Sequence, residues 1–138
     1  MILANAAVTG ESGYAQRITT TSGHVLASDE PERRGGTNSG AAPFDLMVAS
    51  LGACTAITLR MYGDRKQWDL GTIDVKLRLI KEGDEPAHIE RTISVSAPID
   101  AEQQAKLLEI ADKTPVTKAL APGIPIRTTF DGAAQATL

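Results

Sequence analysis

Cysteine is nearly absent from this sequence, in which Cys54 is the one example among 138 residues. A lone cysteine excludes a disulfide within the chain and suits a reducing compartment, so we expect a cytoplasmic protein. Histidine is also scarce: His24 and His88 are the two in the chain, and neither has metal-ligand spacing to Cys54. We therefore expect both histidines at the surface, and we expect neither a metal nor another cofactor.

The sequence also lacks an excess of positive charge. Its 14 Lys and Arg residues stand against 17 Asp and Glu residues, which gives a formal net charge of −3. No basic field draws such a chain to nucleic acid or to anionic lipid, so we expect neither as a partner. The first 13 residues contain no basic region followed by a long apolar run, and we expect no signal peptide.

Length and composition favour one domain over residues 1–138. Hydrophobic residues make up 42% and charged residues 22%, which is typical of a globular protein. A chain of this length can bury one core and is too short for two. We expect residues 1–10 and 131–138 to be loose ends, although Ala6 to Thr9 could form a first edge strand.

The longest apolar stretch, Pro43 to Trp68, predicts a long central helix. From Leu46 to Leu59 nearly every residue is apolar or small, and a helix that is apolar on all sides should be buried. Its uninterrupted apolar part falls short of the ~20 residues of a membrane span. Gly71 should end the polar turn that follows. One sheet covers one side of such a helix, so we predict a homodimer with the helix near its centre.

Alternation of apolar and polar residues predicts short strands on both sides of the central helix. The turn signal Ser22-Gly23 joins two of the earlier strands into a hairpin, and two of the later strands should pair in the same way. In the second of that later pair, Arg91 breaks the apolar face. The predicted strands are 6–9, 14–20, 24–27, 72–81, 89–97 and 124–130.

Two shorter helices are predicted nearer the C-terminus. Asp100 can cap a helix that ends near Lys113, and Gln103 stands where a capping box requires Glu or Gln. Thr114-Pro115 reads as the N-cap and first position of a short third helix. The order of elements predicts an α+β fold with mostly antiparallel sheets around a long buried helix.

A polar loop, residues 29–42, precedes the central helix. Gly35-Gly36 and Ser39-Gly40 resemble parts of a phosphate-cradling loop. Their spacing matches neither a P-loop nor a dinucleotide fingerprint. We therefore interpret this segment as a flexible loop that leads into Pro43 at the first helical position.

Cys54 lies near the middle of the predicted central helix and is the first candidate for chemistry. A buried cysteine is most often a small hydrophobic residue, and composition alone favours that role. A nearby cation together with partial solvent access would instead make the thiol reactive. Arginine suits the task because it stays charged, and sequence alone leaves four candidates open: Arg17, Arg33, Arg34 and Arg60.

The stretch GGTNSGAAPFDLMVASLGACTAITLRMYGDRKQW, residues 35–68, resembles the core motif of the OsmC/Ohr family of osmotically inducible proteins and organic hydroperoxide reductases. The later run EIADKTPVTKAL resembles the second motif of that family. With the order of elements, the resemblance covers residues 10–130. The helix is most similar to an OsmC-like branch rather than to either founding enzyme.

The resemblance implies an OsmC-like fold in an intertwined homodimer, with two active sites at the subunit interface. In catalytic members the helix cysteine attacks the O–O bond of an organic hydroperoxide and becomes a sulfenic acid, and Cys54 matches that position. An arginine of the early strands holds the thiolate, which implies Arg17. A loop carboxylate positions that arginine, which implies Asp45. A second cysteine then closes a disulfide that dithiols reduce.

Two positions depart from the family pattern. Thr114 stands where the resolving cysteine belongs, and a hydroxyl cannot resolve a sulfenic acid. Phe44 stands where the reductases have the loop glutamate, and Asp45 follows it. A two-cysteine cycle within one chain is therefore excluded, and a peroxidase of this sequence needs an external thiol or dithiol.

Three functions remain open from the sequence. The first is a one-cysteine thiol peroxidase that reduces organic hydroperoxides through Cys54. The second is a non-catalytic protein that binds a small apolar or acyl ligand at the dimer interface. The third is a structural, stress-associated protein. A guanidinium within hydrogen-bond reach of the Cys54 sulfur favours the enzyme, whereas an apolar shell favours the other two.

Overall fold

The described residues form two antiparallel sheets and three α-helices, and the longest helix lies between the two sheets in sequence. The computed structural model of the protein describes residues 1–131. In chain order the elements are β1 (Ala6–Thr9), β2 (Gln16–Thr20), β3 (Val25–Ser28), a 3-10 helix (Glu32–Arg34), α1 (Pro43–Lys66), β4 (Ile73–Ile80), β5 (His88–Val95), α2 (Ala101–Ala111) and α3 (Pro115–Leu120). This order confirms the predicted α+β class.

Strands β1, β2 and β3 form a three-stranded antiparallel sheet in that order. The predicted edge strand and hairpin are therefore confirmed. Among the described residues, the strands of this sheet pack closely against one another and not against any helix or the other sheet. It is joined to α1 through a single bridge between Ser28 and Ala41, supported by a 2.8 Å hydrogen bond from the Ser28 hydroxyl to the Ala41 carbonyl. The N-terminal sheet thus stands away from the central helix of its own chain.

Strands β4 and β5 form the predicted second hairpin, with Ile73 opposite Val95 at one end and Ile80 opposite His88 at the other. Their side chains alternate between a half-buried and an exposed face. The half-buried face packs on α1. Gly52 of α1 permits this approach, because a Cβ there would lie 2.7 Å from a methyl group of Leu77.

The single chain covers α1 on one side, as expected for a homodimer, and burial of the other side by a second subunit stays a prediction. One stripe of the helix is buried, and its largest fully buried member is Leu59, which packs with Leu70 and Leu107. The opposite face is open: Ile57 is 55% exposed and Met61 is 59% exposed. The physical reason is that the β4–β5 hairpin, α2 and α3 together cover one side of a helix. By length and composition alone α1 is nevertheless long and apolar enough to cross a membrane, which differs from the expectation based on its shorter uninterrupted apolar run. Core helices of globular proteins pass the same test, and 22% of the apolar window of α1 is buried.

The helix ends follow the sequence signals with two exceptions. Asp100 and Gln103 form the predicted capping box at the start of α2. Helix α1 ends earlier than predicted, because Gln67 adopts the left-handed conformation (φ 59°) and its amide caps the last turn. Thr114 occupies the predicted N-cap position of α3, but its side chain makes no capping bond there.

The predicted last strand is also absent. Residues 124–130 form neither helix nor strand, and the side chains of Ile124, Ile126 and Phe130 are largely exposed. A strand requires partners for its backbone groups, and this segment pairs with no strand in the described part of the chain. Of the predicted loose ends, residues 132–138 lie outside the described residues.

Candidate functional site

The best-connected polar side chain against α1 is that of Arg91, on the inner face of β5. Its guanidinium donates hydrogen bonds of 3.0 Å to the hydroxyls of Thr55 and Thr117. It also contacts the carboxylate of Asp112 at 3.4 Å. The Arg91 side chain is 14% exposed, whereas that of Asp112 is 82% exposed. Arg91 therefore joins β5, α1 and α3 through hydroxyl groups, and its one counter-charge among the described residues lies largely in water.

Thr114, the position at which the resemblance implies a resolving cysteine, is fully buried beside this cluster. Its hydroxyl lies 2.6 Å from that of Thr117. Since Thr117 accepts from Arg91 and donates its proton to the carbonyl of Ala111 at 3.2 Å, the Thr114 hydroxyl is the donor in the remaining bond. Thr114 is thus hydrogen-bonded to Thr117, which in turn accepts a hydrogen bond from the nearly buried guanidinium of Arg91.

The sequence carries one signal for this cluster. Arg91 occupies an inward-facing position of an alternating strand, between Ile89 and Ile93. A charge at such a position must find polar partners or remain costly to bury. Its partners Thr55 and Thr117 are 36 and 26 residues away along the chain, so no local pattern identifies them.

Cys54 is half-buried and unpaired on α1. It lies three residues after the buried Leu51, and three and seven residues before the exposed Ile57 and Met61. Residues at these spacings share one helix face. Cys54 therefore lies where the buried stripe meets the open face. Neighbouring positions on a helix are about 100° apart, so Cys54 and Thr55 point in different directions.

Three of the four candidate arginines have other partners within the chain. Arg17 is exposed on β2 and donates to the hydroxyl of Thr19 at 3.3 Å. Arg60 donates to the carbonyl of Gly71. Arg34 pairs with Glu30 at 3.4 Å. Within residues 1–131 of one chain, no guanidinium forms a hydrogen bond with the Cys54 sulfur.

Asp45 lies in the first turn of α1 and is exposed. It borders the same surface depression as Arg33 and Arg34 of the 3-10 helix, at the opposite end of the loop. The structure thus places Asp45 around the same depression as two of the four candidate arginines and does not bring it to Arg17. The catalytic roles of Arg17 and Asp45 stay predictions.

The loop before α1 is built around the carboxylate of Asp29, which is buried. This carboxylate accepts bonds from the amides of Glu30 (2.7 Å), Thr37 (3.1 Å) and Ser39 (3.1 Å), and from the Thr37 and Ser39 hydroxyls at 2.7 and 2.8 Å. These bonds, that from the Thr37 hydroxyl foremost, hold the pKa of Asp29 far below its ordinary value. The glycine-rich segment therefore surrounds an anion of its own chain, which explains its likeness to a phosphate-binding loop.

Both histidines lie at the surface, as predicted. His24 is exposed in the turn between β2 and β3, and His88 contacts Glu90 at 3.4 Å on the exposed rim of β5. Residues 1–131 contain no group of three or more His, Cys, Asp or Glu side chains that could hold a metal ion.

A family model described as OsmC-like protein matches residues 36–129, which is more than half of the chain. The chain belongs to the OsmC-like family. The matched range includes Cys54, Asp45 and Thr114, and it begins after Arg17. No curated protein matches the sequence.

Solved structures of OsmC-fold proteins superpose on this OsmC-like chain. A proposed osmotic stress induced and detoxification response protein of Psychrobacter arcticus has a TM-score of 0.74 at 19% identity, over 88% of this chain and 90% of that one. The organic hydroperoxide resistance protein OsmC of Legionella pneumophila has a TM-score of 0.66 at 17% identity, with coverages of 88% and 90%. The organic hydroperoxide resistance protein OhrB of Bacillus subtilis has a TM-score of 0.59 at 24% identity, with coverages of 87% and 91%. At such identities the similarity establishes the fold.

Proposed function

We propose that this chain is a one-cysteine thiol peroxidase that reduces organic hydroperoxides through Cys54 and depends on an external thiol. The observation that carries the proposal is the position of Cys54, half-buried at the edge of the open face of α1, in a family with members named for organic hydroperoxide resistance. The partial access favours reaction with a small substrate, because a fully buried thiol is inert.

The proposed cycle balances with two molecules of external thiol. The Cys54 thiolate attacks one peroxide oxygen, the O–O bond breaks, and the other oxygen leaves as the alcohol after taking up a proton. A first external thiol attacks the sulfenic acid sulfur and releases water, which leaves a mixed disulfide. A second external thiol attacks the sulfur of the first in this mixed disulfide, so the Cys54 thiolate leaves and the two external thiols depart as their own disulfide. Thr114 takes no part, because its hydroxyl cannot attack sulfur in this way.

We further propose that the working form is a homodimer. For a chain of 138 residues, a compact monomer exposes roughly 7,000 Å², whereas this chain exposes 10446 Å². The excess is at least as large as the roughly 1,000–2,500 Å² that each subunit of an obligate dimer buries. A second subunit would cover the open face of α1, the N-terminal sheet and the unpaired segment 124–130.

A dimer would also supply the missing cation. The N-terminal sheet carries Arg17 and does not pack on α1 of its own chain. We propose that Arg17 reaches the thiol of the other subunit and that Asp45 helps to position it. We also propose a cytoplasmic location, because a catalytic thiol without an internal partner requires a reducing compartment.

Titration with cumene hydroperoxide tests the proposal. The protein is incubated with the peroxide, then with dithiothreitol or dihydrolipoate, and Cys54→Ser is treated in parallel. We expect one added oxygen on Cys54 by mass spectrometry, its removal by thiol, and peroxide loss that Cys54→Ser does not support. An unmodified Cys54 and equal peroxide loss in both proteins would refute the proposal.

The role of Arg17 has its own control. Arg17→Gln should slow the oxidation of Cys54, whereas Arg34→Gln, which removes an arginine already paired with Glu30, should leave the rate unchanged. Equal rates for Arg17→Gln and the wild type would remove Arg17 from the proposed site and leave the role of Cys54 intact.

A further inference from the structure

A cavity of about 500 Å³ lies between the end of the β4–β5 hairpin, α2 and α3, and the cysteine is not among its lining residues. We call it the Arg91 cavity. Its volume falls within the range of about 300–1,000 Å³ that is typical of small-molecule sites. Its apolar walls are formed by Leu51, Leu79, Ile89, Ile93, Leu108 and Leu120.

The guanidinium of Arg91 supplies the cation of this otherwise largely apolar cavity. Its three bonds to Thr55, Thr117 and Asp112 use three of the five N–H donors of an arginine. Two donors therefore have no bond to a residue that the structure describes. A guanidinium forms its strongest bonds with carboxylates, which can accept two parallel N–H groups.

The counter-charge at this cavity is weak. Asp112 approaches Arg91 at 3.4 Å from a side chain that is 82% exposed, so water screens much of the interaction. The other titratable residue in the lining, His88, contacts Glu90 on the outer face of β5. The cavity thus combines a nearly buried, incompletely bonded cation with walls suited to an apolar chain.

We propose that the Arg91 cavity binds a medium-chain carboxylic acid, with the carboxylate on the Arg91 guanidinium and the alkyl chain against the leucine and isoleucine walls. A small inorganic anion would leave those walls in contact with water. A neutral apolar molecule would displace water from the free N–H donors of Arg91 and accept no hydrogen bond from them, which is unfavourable. An amphiphilic carboxylate satisfies both parts of the cavity. This site is separate from Cys54, and it does not depend on the proposed peroxidase activity.

Octanoate is the probe, and its binding to the intact protein is measured by isothermal titration calorimetry beside octanamide, which has the same chain without the charge. We expect octanoate to bind and octanamide to bind about tenfold more weakly or worse, because bonds to a charged group are lost. Arg91→Gln should weaken octanoate binding by a similar factor. Arg78→Gln is the matched control, since Arg78 lies on the exposed face of the same hairpin and pairs with Glu90; it should bind as the wild type does.

A second variant tests the same site in case Arg91→Gln does not fold. Leu108 lines the cavity mouth and is 53% exposed, so Leu108→Asp should fold while it places a repelling charge beside the ligand. It should also weaken octanoate binding. Cys54→Ser should bind octanoate like the wild type, which separates this site from the peroxidase proposal. The proposal is overturned if octanoate does not bind the wild type, as would occur if a second subunit fills the cavity, or if Arg91→Gln and Leu108→Asp bind it unchanged.

Discussion

The guanidinium of Arg91 lies 3.0 Å from the hydroxyl of Thr55 and joins the middle of β5 to the middle of α1. Thr55 directly follows Cys54, and Arg91 also bonds Thr117, whose hydroxyl contacts Thr114. One arginine therefore connects the neighbour of Cys54 to Thr114, the position at which the family resemblance implies a resolving cysteine. Hydroxyl groups hold this cluster together, and two N–H donors of Arg91 stay without a bond to a described residue.

Arg91 should contribute more to the free energy of unfolding than Arg78, which lies on the exposed face of the same hairpin. Arg91→Gln should lower the free energy of unfolding by about 2 kcal/mol, because the Thr55 and Thr117 hydroxyls lose a charged donor in a largely buried place. Arg78→Gln should cost less than about 1 kcal/mol, since its pair with Glu90 is exposed. Urea unfolding at one fixed protein concentration measures both, and equal losses would contradict the assignment.

Asp29 should make stability depend on pH in the acid range. Its folded-state pKa lies below the unfolded value of 3.8, because the Thr37 hydroxyl and the Ser39 amide bond the ionised form. The carboxylate therefore stabilises the fold fully above that value, and the contribution is lost as the pH falls below about 4. We expect Asp29→Asn to be less stable near neutral pH and to lose less stability on acidification. Asp74→Asn, on the exposed face of β4, is the control and should follow the wild-type curve.

Thr114→Cys should convert the proposed one-cysteine cycle into a two-cysteine cycle. The position is fully buried, and threonine and cysteine are close in size, so the fold should survive the loss of one hydroxyl bond to Thr117. After one equivalent of cumene hydroperoxide we expect a disulfide between Cys54 and the introduced thiol, seen as the loss of two free thiols and two hydrogens by mass spectrometry. Thr92→Cys, at an exposed position of β5, should keep its added thiol. A lasting sulfenic acid in Thr114→Cys would show that the two positions do not meet.

The open face of α1 should be the site of subunit contact. Ile57→Asp places a charge in the proposed interface and should raise the dimer dissociation constant by at least about a hundredfold. Leu108→Asp changes a side chain of similar exposure on α2 and should leave the protein dimeric. Light scattering across a concentration series distinguishes the two. A dimeric Ile57→Asp, or a monomeric wild type, would argue against the proposed interface.

Most of the secondary structure follows from local patterns in the sequence. The alternation over β4 and β5, the capping box of Asp100 and Gln103, and the apolar run of α1 each depend on neighbours within a few residues. Such signals depend on residues close in sequence. The segment 124–130 has the same alternation and forms no strand, because a strand also requires a pairing partner and this segment has none among the described residues.

The candidate site was less predictable because its contacts are long-range. The position of Cys54 on a helix followed from its surroundings in sequence, whereas the bonds of Arg91 to Thr55 and Thr117 depend on how three elements pack. Likewise, no local pattern predicts that the Asp29 carboxylate accepts five hydrogen bonds. The sequence does show a charge at the inward-facing position of Arg91, but the partners of that charge depend on the fold.

The bonds of Asp29 have a consequence for how this chain can vary. Surface loops usually tolerate insertions and deletions, but this loop must return residues 37–39 to one carboxylate and bring Ala41 beside Ser28. A Cβ at Gly36 would meet the Glu30 carbonyl, and one at Gly40 would meet the Ala27 carbonyl. Length and glycine positions are therefore fixed, while the exposed Arg33 is free to change. Among related chains, we expect the net charge of this loop to vary while its number of residues stays constant.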